Sequence, residues 1–520
     1  MATGPNPSPL YDVSTLWELV RRRAEATPDA PMLFDESERT LTFGEFAAKA
    51  ERVAAGLMEL GVGPGSSVTW QLPTRIETVI LSMALARLGA VQNPIIHIYR
   101  EREVGFAVRQ TSAELVVVPG TWRGFDYLAM AERIAGALPN KPRILVAYDD
   151  LPDGDPAGLP PAPTSADDVR WIYYTSGTTS DPKGVRHSDG TLLAGGIGLA
   201  VAMEMSPADV GSIAFPFAHI GGPDYLVTML TQGFPAILIE AFDPVTVVDV
   251  LNRVGATMAG GSTAFYSTFL SLHRAKLASG DTSPLVPTLR VLSGGGAPKP
   301  PEIFFEVKRE MGVVVAHGYG MTEVPMITQN SPHDTDDQLA YSEGAPVRGT
   351  KLRIVDEAGN DAKPGTEGEV RLSGPIVFHG YTDPELNAAA FDEQGYFRTG
   401  DLGVQRQDGH VTLTGRLKDV IIRKGENISA KEIEDLLYEH PLVANVAVIG
   451  LPDSERGERV CAVVESVPDG PSITFPEMST YLREHGLMTQ KIPEQLEIID
   501  VMPRNATLKI LKHELRARYK

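Results

Sequence analysis

The densest chemistry in the chain lies in one run, Tyr173-Tyr174-Thr175-Ser176-Gly177-Thr178-Thr179-Ser180-Asp181-Pro182-Lys183-Gly184-Val185. Hydroxyls and glycines follow a strand expected over 169–173, and a lysine closes the run. Backbone N–H groups of such a loop wrap phosphate oxygens, the hydroxyls add donors, and the lysine adds charge. A Walker A loop needs Gly before its Lys and Ser or Thr after it; here those positions are Pro182 and Gly184, so this is not a P-loop ATPase. Any four of these residues read as an ordinary turn, but all thirteen together do not.

Farther along, Gly318-Tyr319-Gly320-Met321-Thr322-Glu323 joins an aromatic face, close-approach glycines and a hard carboxylate. That set suits adenine stacking and a Mg²⁺ ligand. Asp401 sits in Thr399-Gly400-Asp401-Leu402-Gly403, and Arg416 offers a rigid donor fork. Lys509 is one of three lysines near the end of the chain, with Lys512 and Lys520. Alone, each has a plain alternative: Glu323 a solvated helix-start carboxylate, Asp401 a turn residue, Lys418 and Lys509 surface lysines, His219 a structural histidine.

The 173–185 run resembles the signature loop of the superfamily uniting AMP-forming acyl-CoA synthetases, peptide-synthetase adenylation domains and beetle luciferases. Six further matches follow in family order: Phe215-Pro216-Phe217-Ala218-His219, Ser293-Gly294-Gly295-Gly296-Ala297-Pro298, the Gly318–Glu323 hexapeptide, Tyr396-Phe397-Arg398-Thr399-Gly400-Asp401, Gly415-Arg416-Leu417-Lys418-Asp419, and residues 503–509. The resemblance spans 175–509, most of the chain. It implies that ATP, Mg²⁺ and coenzyme A are bound, and that a carboxylic acid is adenylated and passed to a thiol. Thr175, Ser176, Gly177, Thr178, Thr179 and Lys183 would hold phosphates, and Gly295, Gly296, Ala297 and Pro298 the adenine wall opposite Gly318, Tyr319, Gly320 and Met321. Asp401 would accept from both ribose hydroxyls, Arg416 would contact ribose or phosphate, and Thr175 with Glu323 would hold Mg²⁺. The resemblance places His219, Thr322, Glu323 and Lys509 in the catalytic group and makes Lys418 the hinge. His219, Gly221, Gly222 and Met321 would face the acid, the glycines leaving room for a bulky one or making a tight turn. Lys424 and Gly425 would flank the pantetheine path. This chain has Leu508 where the family usually carries Gly before the lysine, which stiffens that loop.

The elements that must position these residues alternate in period through the first half. Strands are expected over 67–71, 91–95, 115–118 and 144–148, and helices over 75–88, 101–111 and 130–138, the pattern of an α/β domain with largely parallel sheets. A Pro/Gly/Asp-rich stretch, 151–168, reads as a surface loop, and from Lys351 short strands with Gly turns suggest a β-rich part. Beyond Arg416, helices over 430–440 and 475–485 mix with strands over 443–449, 460–465 and 496–499. The expected fold is thus a large N-terminal α/β domain with a β-rich subdomain, residues 1–417, and a small mobile α+β domain, residues 418–520.

Composition narrows the partners. With 67 acidic against 47 basic residues the net charge is −20, which discourages nucleic acid and anionic membrane and requires a local positive site for ATP. The single Cys461 lies in an apolar run and reads as core; one cysteine cannot form an internal disulfide, which fits a reducing, cytoplasmic setting. No signal peptide or bilayer span is expected, and a homodimer is left open. The rival readings are an amino-acid adenylation enzyme feeding a carrier protein, a fatty acyl-AMP ligase, a luciferase-like oxygenase, and a nucleotide-binding sensor that has lost catalysis. Residues 215–222 carry no acidic group to hold a substrate ammonium, and 323–400 is too compact for the fatty acyl-AMP ligase insertion. The acid itself is not legible.

Overall fold

In the computed structural model, residues 8–520 are described apart from 176–181, 297–298, 424–425, 454–455, 469 and 506–508. The alternating first half builds a six-stranded sheet in the order Lys183–Ser188, Val169–Thr175, Val91–Pro94, Ser67–Trp70, Leu115–Val118, Arg143–Val146. All neighbours run parallel except the first pair. The helix Ile76–Leu88 is buried at every position, which explains its near-continuous apolar sequence, and it ends on Gly89 at φ 70°. The expected elements of the first half are present with ends shifted by at most three residues; the 130–138 helix begins earlier, at Tyr127, where Asp126 caps it by accepting from the Ala129 N–H.

A second sheet carries the parallel strands Met258–Gly261, Val291–Gly294 and Val314–Met321, then turns back through Val324–Gln329. The β-rich part is an antiparallel sheet of Lys351–Val355, Glu367–Ser373, Phe397–Gln405 and Val411–Arg416. Residues 151–168 hold no strand, only a single 3₁₀ turn, Pro156–Gly158.

The chain's last hundred residues have cores of their own. Ile421, Ile433, Leu437, Val446, Val448, Val464 and Leu482 form one, and Ile449, Cys461, Val463, Met502 and Leu515 another, on opposite faces of the sheet built on Val443–Asp453 and Gly457–Ser466. Cys461 is buried there, and burial pushes its thiol up to about 12, so it is packing rather than nucleophile. The short 3₁₀ turn Leu417–Asp419 joins this unit to the last strand of the β-rich sheet. Among the described residues no helix is long and apolar enough to cross a membrane.

Candidate active site

The motif segments meet at the C-terminal ends of parallel strands, where open α/β sheets present ligand crevices. Gly294 and His317 are paired across neighbouring parallel strands, so the two glycine-rich segments that follow lie side by side. They approach closely: a Cβ on Gly295 would fall 2.5 Å from the Gly318 carbonyl, and one on Gly318 would fall 2.2 Å from Gln329 Oε1. Gly296 has φ 79° with open space around it. Ala297 and Pro298 lie outside the described residues, as do Ser176, Gly177, Thr178 and Thr179 of the phosphate loop, Lys424, Gly425 and Leu508.

Tyr319 is buried at the end of its strand, and its hydroxyl donates to Asp401 Oδ2 at 2.6 Å. Asp401 is buried within the strand Phe397–Gln405, not in a turn, and its other oxygen lies 2.7 Å from Arg416 Nε, on the paired strand. Tyr319, Asp401 and Arg416 therefore form one hydrogen-bonded wall. Lys509 faces the same wall: burial lowers its ammonium to about 8, with Arg416 and Lys418 pushing it down and Asp401 and Asp419 holding it up. Its loop is tied by a reciprocal pair, Asn505 N–H to Lys509 O and Lys509 N–H to Asn505 Oδ1, both 2.9 Å. Lys418 is likewise lowered by burial and by Arg416, while Asp419 is anchored by Arg516 at 2.8 Å.

Glu323 lies at the turn of the hairpin Val314–Met321 and Val324–Gln329, buried, rather than at a helix start. Its Oε1 accepts from the Tyr381 hydroxyl at 2.8 Å, and burial raises its pKa while Tyr381 and Lys183 oppose the shift. Lys183 pairs with Thr175 across the first strand pair, and its Nζ stands 5.1 Å from the Tyr381 ring centroid. A buried carboxylate with one oxygen taken by a neutral phenol, beside a lysine and near the hydroxyl strand end, fits Mg²⁺, which keeps several waters and phosphate oxygens and needs few protein ligands. No group of three or more His, Cys, Asp or Glu that could cage a metal exists among the described residues.

Thr322 is placed by a residue that the motifs did not mark. His187 is fully buried; its Nε2 donates to the Thr322 carbonyl at 2.7 Å and its Nδ1 lies 2.8 Å from Thr191 Oγ1. Burial lowers His187 to about 4, so the neutral ring is a fixed strut. Tyr381 and His187 were not legible because nothing local in sequence marks a side chain whose partner lies 58 or 135 residues away.

His219 and Thr322 meet at a small cavity. Together with Pro94, Ile96, Tyr99, Tyr173, Tyr174, Ala218 and Ile220 they line a cavity of about 10 Å³, room for about one water. His219 Nδ1 accepts the Gly221 N–H at 3.2 Å, and burial lowers the ring to about 4, so it is neutral near pH 7. Gly221 would tolerate a Cβ at ordinary contact with Phe215 and His219. Gly222 would not: a Cβ there would fall 2.0 Å from the Phe217 carbonyl, so this glycine serves backbone packing at the start of the helix Gly221–Gln232. Met321 is half-buried at the hairpin edge.

The chain matches the AMP-binding enzyme family over residues 20–382 and the AMP-binding enzyme C-terminal domain over 432–509. It is 28% identical to the medium-chain fatty-acid–CoA ligase of Escherichia coli K12 over 527 residues, covering 98% of this chain and 91% of that one. It is 33% identical to a feruloyl-CoA synthase of an Amycolatopsis species over 504 residues, covering 96% and 98%. The crystal structure of ATP-bound MatB from Rhodopseudomonas palustris superposes with a TM-score of 0.85 at 29% identity, over 97% of this chain and 99% of that one. The wall, the carboxylate hairpin and these likenesses agree: the chain belongs to the AMP-binding enzyme family and is an AMP-forming acid–thiol ligase.

Proposed function

We propose that this protein is a carboxylic acid–CoA ligase working in two half-reactions. In the first, a carboxylate oxygen of the acid attacks the α-phosphorus of ATP, the Pα–O bond to the β-phosphate breaks, and diphosphate leaves. In the second, the thiol sulfur of CoA attacks the acyl carbon, the C–O bond to AMP breaks, and the thiol proton passes to solvent. The observation that carries this reading is the convergence of Lys509, Arg416, Asp401 and Tyr319 on one buried wall, although they come from four separate stretches of chain. Two anions must meet in the first step, so its barrier is electrostatic and positional. Lys509 supplies charge at that meeting point, Asp401 and Arg416 hold the ribose side, and Tyr319 presents its ring to adenine. Thr175 and Glu323 would hold Mg²⁺, which neutralises phosphate charge when bound. His219, kept neutral by burial, would lie between the nucleotide and the acid.

Residues 1–417 would form one domain and 418–520 the other, turning about Lys418 so that Lys509 serves adenylation and the 424–425 segment serves thiol attack. Lys418→Pro should then form acyl adenylate in a single turnover but transfer it slowly; equal loss of both steps defeats the rotation. A panel of carboxylic acids assayed for AMP and diphosphate release, with and without CoA, tests the whole reading. Acyl adenylate that accumulates without thioester in the presence of CoA would mean a different acceptor. No diphosphate with any acid would overturn the ligase.

A further inference from the structure

Asp224 is 2% exposed, its Oδ1 is buried, and no donor reaches that oxygen. Three other buried carboxylates of this half of the molecule are satisfied. Asp189 accepts from Trp171 Nε1 at 2.8 Å and the Leu16 N–H at 3.1 Å, Asp209 from Arg290 at 2.8 Å and Thr257 at 2.9 Å, and Glu343 from the Leu413 N–H at 2.7 Å. An orphaned buried acceptor is a cost that folding alone does not explain.

Its position connects it to the acid's side of the site. Asp224 sits in the first turn of the helix Gly221–Gln232, whose preceding residues His219 and Ile220 line the small cavity beside Thr322. Across from it, Gly195 of the helix Asp189–Ala202 leaves room for the carboxyl: a Cβ there would lie 2.6 Å from Asp224 Oδ1 and 3.0 Å from Pro325 Cβ. Pro325 belongs to the hairpin that carries Glu323, and its carbonyl lies 2.3 Å from where a Gly320 Cβ would stand. The carboxyl therefore lies beside Gly195 and near Pro325, and Pro325 in turn packs on Gly320 through its carbonyl. Met321, Met326 and Ala194 pack, partly buried, on the core that holds Tyr319, Val324 and Ile327 of the same hairpin.

We propose that Asp224 is the polar floor of the acid pocket and selects acids bearing a neutral hydrogen-bonding oxygen, a hydroxyl or ketone, remote from the reacting carboxylate. This rests on the ligase reading above. Burial raises Asp224 to about 8, so near pH 7 the group is a carboxylic acid that can donate to such an oxygen and accept from a hydroxyl. An apolar acid of the same shape would leave it orphaned, and sites built around a substrate hydroxyl reject the analogue lacking it far more strongly than apolar pockets reject an added methylene.

The test compares matched acids, each a ring or chain acid with a distal hydroxyl or keto oxygen, its hydrocarbon isostere and its amino analogue. The wild type should favour the oxygen-bearing member by roughly tenfold or more in kcat/KM. Asp224→Val should abolish or reverse the preference, and Asp224→Asn, which keeps a donor and an acceptor, should restore it. A carboxyl kept for structure would make Asp224→Val unfold at lower temperature, whereas this assignment expects a Tm at or above the wild type, because an orphan is replaced by an apolar group. Equal ratios in all three proteins, a wild-type preference for the hydrocarbon, or a preference for the amine overturns the assignment while leaving the ligase intact. Absence of adenylation with every acid overturns the ligase and this assignment with it.

Discussion

Two clusters of charge in this molecule look alike in composition and differ in purpose. One lies between the turn at residues 406–410, which joins the strands Phe397–Gln405 and Val411–Arg416, and the short helix Asp336–Tyr341. There His410 Nε2 stands 3.1 Å from Asp334 Oδ2 and its Nδ1 3.4 Å from Asp408, while Arg406 pairs with Asp337 and Asp408. The other is the junction of Lys509, Lys418, Arg416, Asp401 and Asp419. In the first, every shift favours the charged form: His410 is raised by its bond to Asp334, and Asp334 and Asp408 are lowered against burial by His410, backbone N–H groups and, for Asp408, Arg406. In the second, Lys509 and Lys418 are both lowered, toward the neutral form, by burial and neighbouring cations. A charge cluster that satisfies itself is a brace. One whose cations are crowded and desolvated is suited to an anion, and in a protein of net charge −20 the proposed mechanism assigns the drawing-in of ATP to that local surplus.

The comparison breaks most sharply at Lys509. Lys509→Ala should slow adenylation by about 10²–10³-fold, the worth of one preorganised electrostatic group, while ATP still binds. Preformed acyl adenylate should still pass to CoA at near the wild-type rate. Near-normal pyrophosphate exchange in the variant would make this cluster a brace as well.

Asp401→Ala should raise the KM for ATP by roughly 10–100-fold, from losing a carboxylate acceptor worth about 1.5–3 kcal/mol, and should leave the ranking of acids alone. An unchanged KM would reduce Asp401 to a structural partner of Tyr319 and Arg416.

A pH titration sharpens the contrast. On the proposed mechanism the protonated lysine is the working form, and burial brings its pKa down to about 8. The kcat/KM for ATP in the adenylation step should therefore be level below that value and fall as pH rises through it. A profile level to pH 10 would mean that Lys509 is not the titrating cation.

The smallest effect is expected at the brace. His410 is raised in the folded protein, so its stabilisation is complete below its unfolded value and is lost as pH rises through the folded one. Asp334 and Asp408 are lowered, so theirs is present above their unfolded values and lost in acid. His410→Ala should cost about 1 kcal/mol at pH 6, less at pH 9, with adenylation unaltered. Denaturant midpoints at the two pH values check this, and an equal loss at both would remove the ionic account.

The sequence alone determined the kind of chemistry and the scaffold that carries it. The hydroxyl-glycine-lysine run, the Gly-Tyr-Gly-Met-Thr-Glu hexapeptide and the alternation of periods are local signals, set by what neighbouring side chains and backbone can do within a few residues. The helix Ile76–Leu88 and the strands flanking it were legible for that reason, as was the separate core beyond residue 420. Partnership was decided only by the tertiary structure. Tyr319 meets Asp401 across 82 residues and His187 meets the Thr322 carbonyl across 135, pairings that depend on sheet register and helix packing. Glu323 could have been a solvated carboxylate and Asp401 a turn residue until the fold buried them. Asp224 lies just beyond the window in which an acidic residue was sought, and the missing Cβ of Gly195 gives that carboxyl its place. Desolvation belongs to the assembled molecule and not to any stretch of chain, which is why the acidity of Lys509, His187 and Asp224 could not be read before the chain was folded.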